Sequence, residues 1–146
     1  MPDFKNYSPD QLTVTFGGLK IGGFAEGTFI QVARNEDSYE TVVGSQGDVT
    51  RVKKLNRSGT IIVTLQQSSP SNDLLSAELA ADEAEGAVNA GLGEAMVKDA
   101  NGTTVINSDN SWVQKYADVT FSNGLEGREW TIACADLQMV VGGSLV

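Results

Sequence analysis

TIIVTLQQ, residues 60–67, is the stretch that decides the fold. Its residues Ile61, Val63 and Leu65 form one apolar face, and Thr60, Ile62, Thr64 and Gln66 form the other. Successive side chains of a β-strand point to opposite sides of a sheet, so this period of two predicts a strand with one face in the core.

The same alternation recurs on both sides of this stretch. It predicts further strands at 11–16, 19–21, 28–34, 94–98, 103–107, 115–121 and 128–135. Glycine-rich turns separate them, as at Asn101-Gly102 and Asn123-Gly124. Strands of this length and spacing predict a mainly β fold of two packed antiparallel sheets, a sandwich or a barrel-like pair.

One helix is predicted, at about residues 71–85. Ser69 or Ser71 can cap it, and Asp73 lies where the helix dipole favours a carboxylate. Its apolar side is thin and its outer side is acidic, which indicates one short helix flanking a sheet. We find no repeat or proline-rich linker in the sequence, and therefore predict a single domain over residues 1–146.

Composition argues against several classes of function. The chain has 146 residues, a net charge of −9, no histidine and one cysteine, Cys134. The common Ser-His-Asp and Cys-His arrangements and most transition-metal sites need histidine, so we predict no enzyme, catalytic residue, metal or cofactor. Cys134 is predicted to be a buried core thiol. The negative charge disfavours binding of nucleic-acid phosphates.

Neither a signal peptide nor a membrane span is predicted. The N-terminal sequence lacks a basic region followed by an apolar stretch, and the apolar stretches elsewhere are too short to cross a bilayer. These features predict a protein that is made and kept in a reducing, soluble compartment.

Residues 36–57 differ from the rest, because they are mostly polar and have two glycines in their middle. We predict a long, poorly buried hairpin or loop, and loops of this length in compact domains usually have a function. Four of the ten basic residues lie here, namely Arg51, Lys53, Lys54 and Arg57. One interpretation is a solvated loop tip. The other is an assembly loop that contacts an acidic patch on another copy, for which the stretch 73–99, with seven acids and one lysine, is the candidate.

The C-terminal sequence LQMVVGGSLV, residues 137–146, is unusually apolar for a chain end. Apolar side chains at a free surface often mark an interface. We therefore expect these residues to be more buried in an oligomer than in a monomer: Met139, Val140, Val141, Leu145 and Val146.

Four stretches, in this order along the chain, resemble the tail-tube subunits of bacteriophages, best known from contractile-tailed phages. They are YSPDQLTVTFGGLKIGGFAEGTFIQVAR (7–34), GDVTRVKKLNRSGTIIVTLQQSSPSNDLLS (47–76), NGTTVINSDNSWV (101–113) and REWTIACADL (128–137). The resemblance covers almost the whole chain.

The resemblance implies two packed sheets with a flanking helix, and hexameric rings stacked into a hollow tube through which genomic DNA passes without specific binding. It also implies sheath, baseplate and terminator proteins as partners, and a place in the virion tail, assembled in the bacterial host cytoplasm. Acidic and small polar groups would suit such a lumen, because DNA is held by phosphate contacts.

Other functions stay open at this point. One is a tail terminator, baseplate or head-tail joining ring, which stops at a single ring. Another is a tube subunit of a contractile bacteriocin or a type VI secretion-like system. A ligand-binding β-sandwich would need a surface cluster of aromatic residues, whereas Trp112 and Trp130 are predicted to lie in the core.

Overall fold

The computed structural model describes residues 12–27, 29–84, 86 and 91–143. These residues form ten strands and one helix. In chain order they are β1 Leu12–Phe16, β2 Leu19–Ile21, β3 Ile30–Arg34, β4 Tyr39–Val43, β5 Val49–Lys53, β6 Gly59–Leu65, α1 Ser71–Glu83, β7 Gly93–Asp99, β8 Val105–Lys115, β9 Arg128–Cys134 and β10 Gln138–Val140.

Eight strands form one antiparallel sheet and two form a separate hairpin. The large sheet has the order β2-β1-β7-β8-β9-β6-β3, with β10 also paired to β8, and the small sheet is β4-β5. The predicted class is therefore confirmed: a mainly β fold with two antiparallel sheets and one helix. The chain that leaves β2 reaches back to β6, where Phe24 pairs with Leu65 and the Ala25 amide donates to the Thr64 carbonyl at 3.0 Å. The large sheet thus curls into a barrel-like shape.

The centre of the core is the stretch that defines the fold. Ile61, Val63 and Leu65 are completely buried, and β6 pairs with β9 so that Ile61 faces Ile132 and Val63 faces Trp130. Full burial of one such aliphatic side chain stabilises the folded state by about 1.5–3 kcal/mol. Buried and partly exposed residues therefore alternate along β6, as the sequence predicts.

The predicted strand at 115–121 is wrong. β8 ends at Lys115, and residues 116–127 lie outside the strands. The pairing of β8 with β9 stops where Lys115 faces Thr131, just after a shift of register. No described strand lies beside residues 116–127, and without a partner for its backbone groups an alternating segment does not become a strand.

Helix α1 packs against β8, and its first turn is joined to the end of β6. Leu75 and Leu79 are buried on its inner side, and the Asn72 side chain donates to the Gln66 carbonyl at 3.0 Å. The predicted side-chain cap is wrong for Ser71, which is buried inside the first turn and accepts a hydrogen bond from the Gly22 amide at 3.0 Å. Ser69 instead accepts the Ser71 amide at 3.2 Å. The helix ends at Glu83, within the predicted range.

Candidate assembly surfaces

The hairpin β4-β5 lies within the segment 36–57 that the sequence marks as a long hairpin or loop. Tyr39 faces Lys53, Thr41 faces Arg51 and Val43 faces Val49 across the two strands. Every residue of both strands is exposed to solvent. The hairpin therefore buries little surface against the rest of its own subunit. A two-stranded hairpin in water is only marginally stable on its own.

The structure places the four predicted basic residues differently from one another. Arg51 and Lys53 share one face of the hairpin, where the Arg51 guanidinium lies 4.2 Å above the Tyr39 ring. Lys54 follows on the opposite face, and its Nζ lies 2.8 Å from Glu40 Oε2. This hydrogen bond and the opposite charges raise the pKa of Lys54 and lower the pKa of Glu40. Lys54 is therefore already paired within its own chain.

Three of these cations also border a cavity of about 240 Å³ at the base of the hairpin: Lys53, Lys54 and Arg57. Arg34, a basic residue that sequence reasoning missed, lines the same cavity. Its guanidinium donates to the Leu137 carbonyl at 2.8 and 3.2 Å, which fixes the end of β3 beside the C-terminal strand. Its position just before the polar segment is the signal that could have identified it.

The C-terminal apolar residues divide into two groups. Met139 is half-buried and packs on the core, whereas Val140 and Val141 are 61% and 77% exposed. Leu145 and Val146 lie outside the described residues. β10 and the base of the hairpin are neighbours, because the Leu137 amide donates to the Arg57 carbonyl at 2.8 Å. The exposed valines and the basic cavity therefore lie at the same end of the barrel.

The opposite end carries a surface that sequence reasoning missed. In the segment 116–127, Val119, Phe121 and Leu125 are 62%, 77% and 74% exposed. The incorrect assignment of a strand here concealed it. The segment is fixed by Arg128, whose buried guanidinium donates to the Thr120 carbonyl at 3.3 Å.

The acidic stretch 73–99 does not present all its charges to solvent. Asp99 is buried and accepts the Asn101 amide at 2.8 Å, and Asp82 accepts the Gly91 amide at 3.3 Å. Asp73, Glu83 and Glu94 are exposed and Glu78 is half-buried, while Glu85 lies outside the described residues. As a receptor for basic side chains, this stretch is weaker than its composition indicates.

Reactive chemistry is poorly supported by the described residues. Cys134 is buried, and its burial raises the pKa of the thiol, although hydrogen bonds with Ser111 and Ser108 act in the opposite direction. Trp130 is buried and its Nε1 donates to Asn72 at 2.9 Å, while Trp112 is half-buried. Within the described ranges, no group of histidine, cysteine, aspartate and glutamate side chains is arranged to hold a metal ion. No helix in the part of the chain that the structure describes has the length and hydropathy to cross a membrane.

Comparison with known structures reveals proteins of the same fold in contractile injection systems and a related prophage. A sheath/tube terminator of an extracellular contractile injection system, PVC, superposes with a TM-score of 0.61 at 16% identity, over 93% of this chain and 97% of that one. A chain of the PVC sheath-tube complex gives 0.60 at 16% identity, over 92% and 91%. The tube terminating cap of the anti-feeding prophage gives 0.57 at 9% identity, over 96% and 94%.

Comparison of sequences identifies the family. Structural protein ORF10 of Pseudomonas phage KPP10 is 29% identical over 144 residues, which cover 94% of this chain and 83% of that protein. The family model described as Bacteriophage PhiTE tail tube protein matches residues 13–142. The match spans most of the barrel, the hairpin and the helix, and the chain therefore belongs to the PhiTE tail tube protein family of bacteriophages.

Proposed function

We propose that this chain is the repeating subunit of a phage tail tube, which forms hexameric rings that stack into a conduit for genomic DNA. The observation that carries the proposal is the hairpin β4-β5, whose strands are exposed along their full length yet bear four valines. Val42, Val43, Val49 and Val52 are 43–67% exposed. Apolar side chains on an ordered, projecting element are expected where another molecule covers them.

The two ends of the barrel carry different surfaces, which supports stacking. The hairpin and Val140 lie at the end where β6 begins, and the segment 116–127 lies where β6 ends. A contact between unlike surfaces of identical subunits is heterologous, and such contacts propagate into rings or filaments. A tube that grows by addition of rings has this property.

The proposed assembly residues are the basic residues of the hairpin region and the apolar C-terminal residues. They are Arg51, Lys53, Lys54, Arg57, Met139, Val140, Val141, Leu145 and Val146. Replacing the four basic residues by glutamate is expected to abolish polymerisation while the monomer stays folded. Tubes that form normally from that variant would contradict the role of these charges.

A conduit for DNA should not retain it. The net charge of −9 supports transit without specific binding, because attachment requires phosphates to be neutralised by cations. The proposal gives the chain a structural role without catalysis, with sheath, baseplate and terminator proteins as partners. It places the chain in the virion tail, after assembly in the bacterial host cytoplasm.

A tail terminator is the second candidate, because two of the similar structures are a terminator and a terminating cap. The same fold serves both roles, so the fold alone does not separate them. The difference is in growth, since a tube subunit adds rings without limit and a terminator stops at one ring.

Negative-stain electron microscopy of the purified protein over a series of concentrations tests the proposal. Long hollow tubes of stacked rings are the expected result. Single rings at every concentration would favour the terminator, and monomers throughout would contradict self-assembly of this chain.

A further inference from the structure

The segment 116–127 is an ordered apolar surface. Ala117 is buried at its start, and Arg128, which is 7% exposed, holds its second half. The Arg128 guanidinium donates to the carbonyls of Thr120 and Gly127 at 3.3 and 3.5 Å and lies 5.4 Å from the Phe121 ring. These contacts hold the backbone in place while Phe121 remains 77% exposed. Such a surface is preformed, and preformed surfaces lose little entropy when they bind.

The same segment is acidic. Asp118 and Glu126 are its charged residues, and Asp118 takes part in a loose ion pair, 4.0 Å from Lys115. Both side chains of that pair are largely exposed, so the contact contributes little and is easily exchanged. The surface therefore combines large apolar side chains with one exposed acidic residue, Asp118, and one half-buried acidic residue, Glu126.

One face of the hairpin has the complementary composition. Val43 and Val49 are 62% and 67% exposed, and the register places Arg51 and Lys53 on the same side of the strands. Two valines beside two cations match an apolar surface with two carboxylates in both hydrophobic character and charge. Complementary charges of this kind set the register and the partner of an interface.

These two surfaces lie at opposite ends of the subunit. Arg34 pairs with Gly59 at the base of the hairpin, whereas Leu65 pairs with Arg128 at the other end of the same strand. The seven residues of β6 span about 20 Å. A surface at one end is thus placed to meet its complement on a second copy arranged head to tail.

We infer that the hairpin of one copy docks on the segment 116–127 of the next copy, with Arg51 and Lys53 against Asp118 and Glu126. The inference rests on the proposed tube function and names the receptor for its hairpin. The exposed acids of the helix are a poorer receptor, because the described helix adds only Leu74, at 37% exposure, as a large exposed apolar side chain. Charge alone would leave the hairpin valines in water.

A charge exchange tests the contact. The variants Arg51→Glu/Lys53→Glu and Asp118→Lys/Glu126→Lys should each raise the protein concentration needed for tube formation by about tenfold or more, because like charges then oppose each other. The four-substitution chain restores opposite charges and should form tubes within about threefold of the wild-type concentration. An equimolar mixture of the two double variants should also polymerise, with the two variants alternating along each head-to-tail series of contacts.

Two controls make the result specific. Lys20→Glu/Lys98→Glu replaces two exposed cations elsewhere and changes the net charge as much as the hairpin variant does, and it should leave tube formation unchanged. Circular dichroism of each variant monitors the fold. As a second measurement, Val49→Cys combined with Phe121→Cys should give intermolecular disulfides on oxidation, at a protein concentration high enough to offset the weaker assembly expected on loss of the Phe121 side chain. The buried Cys134 does not take part.

The outcomes separate this inference from the proposed function. Wild-type protein that never forms tubes would contradict the function. Wild-type tubes together with normal tubes from Asp118→Lys/Glu126→Lys would overturn the inference alone. The inference would also be overturned if both double variants fail to assemble, the four-substitution chain does not restore assembly, and no disulfide forms between positions 49 and 121. The hairpin would then dock elsewhere.

Discussion

Removing the hairpin should abolish assembly without destabilising the subunit. The change replaces residues 39–53 by an Asn-Gly turn between Ser38 and Lys54. The Lys54 amide donates to the Ser38 carbonyl at 2.8 Å, so the two ends of the cut are already neighbours. The Arg57 carbonyl, which accepts the Leu137 amide at 2.8 Å, is retained. The excision therefore leaves the base of the hairpin and its contact with the C-terminal strand in place.

The expected change in the free energy of unfolding is small, because two modest terms oppose each other. Shortening the connection between β3 and β6 from roughly 24 to roughly 11 residues lowers the cost of loop closure by about 0.7 kcal/mol. The Arg51–Tyr39 stacking that is lost contributes about 0.5–1 kcal/mol at an exposed site. The ion pair of Lys54 with Glu40 is also lost, and because both side chains are exposed it contributes little. The excised protein should therefore unfold within about 1 kcal/mol of the wild type.

Urea unfolding followed by tryptophan fluorescence measures this change, and electron microscopy measures assembly. Leu137→Ala is the contrasting variant: Leu137 is completely buried, and truncating it should cost about 2–5 kcal/mol. A loss of more than about 2 kcal/mol on excision would show that the hairpin stabilises its own barrel. Tubes formed by the excised protein would refute the role of the hairpin in assembly.

Three further predictions concern the barrel itself. Gly59→Ala should destabilise the fold by about 1–3 kcal/mol, because its Cβ would lie 2.5 Å from a leucine methyl carbon and 2.6 Å from a carbonyl oxygen, while Gly124→Ala, with open space around it, should be neutral in the same urea titration. Asn72→Ala should cost about 1–3 kcal/mol, because it leaves the Trp130 Nε1 donor unpaired and removes the side-chain donor to the Gln66 carbonyl; urea unfolding measures the loss. Burial raises the pKa of the Cys134 thiol, so the contribution of this thiol to the free energy of unfolding should be complete below the pKa of an unfolded thiol and should decline as the pH rises above it. Urea unfolding of the wild type and of Cys134→Ala over a series of pH values measures this contribution. A contribution of Cys134 that increases with pH would contradict the prediction.

Much of the fold could be predicted because local periodicity reports burial directly. β6 and β9 each bury alternate residues along their whole length, and this pattern is visible in the sequence. The order of the strands could not be predicted. β1 pairs with β7, far away in the chain, and the pairing follows from how the sheet closes rather than from either segment alone. Nor does sequence reveal that β8 continues through its irregular register as one strand of 11 residues.

The candidate surfaces were only partly predictable. The sequence shows which charged residues are close along the chain, but not which of them are close in the folded structure. The sequence groups Lys54 with Arg51, yet one strand residue more or less moves a side chain to the other face of a hairpin, where Lys54 meets Glu40. Arg34 joins the basic cavity from the preceding strand. Proximity across a sheet, which decides both cases, depends on register.

The wrong strand at 115–121 has a physical cause that bears on the docking inference. Alternation of apolar and polar residues records which side chains are removed from water, but it does not record which molecule removes them. In β6 the rest of the same barrel covers the apolar face, and Ile61 has no exposed surface. In 116–127 the apolar residues Val119 and Phe121 remain in water within one subunit. When the surface that covers an alternating segment belongs to another copy of the chain, the apolar residues of that segment are exposed in the single subunit.

Phe121→Ser should therefore leave the stability of the monomer nearly unchanged and weaken assembly, whereas the equivalent change at Ile61 should unfold the barrel. Equal effects of Phe121→Ser on unfolding and on assembly would show that the segment serves its own subunit.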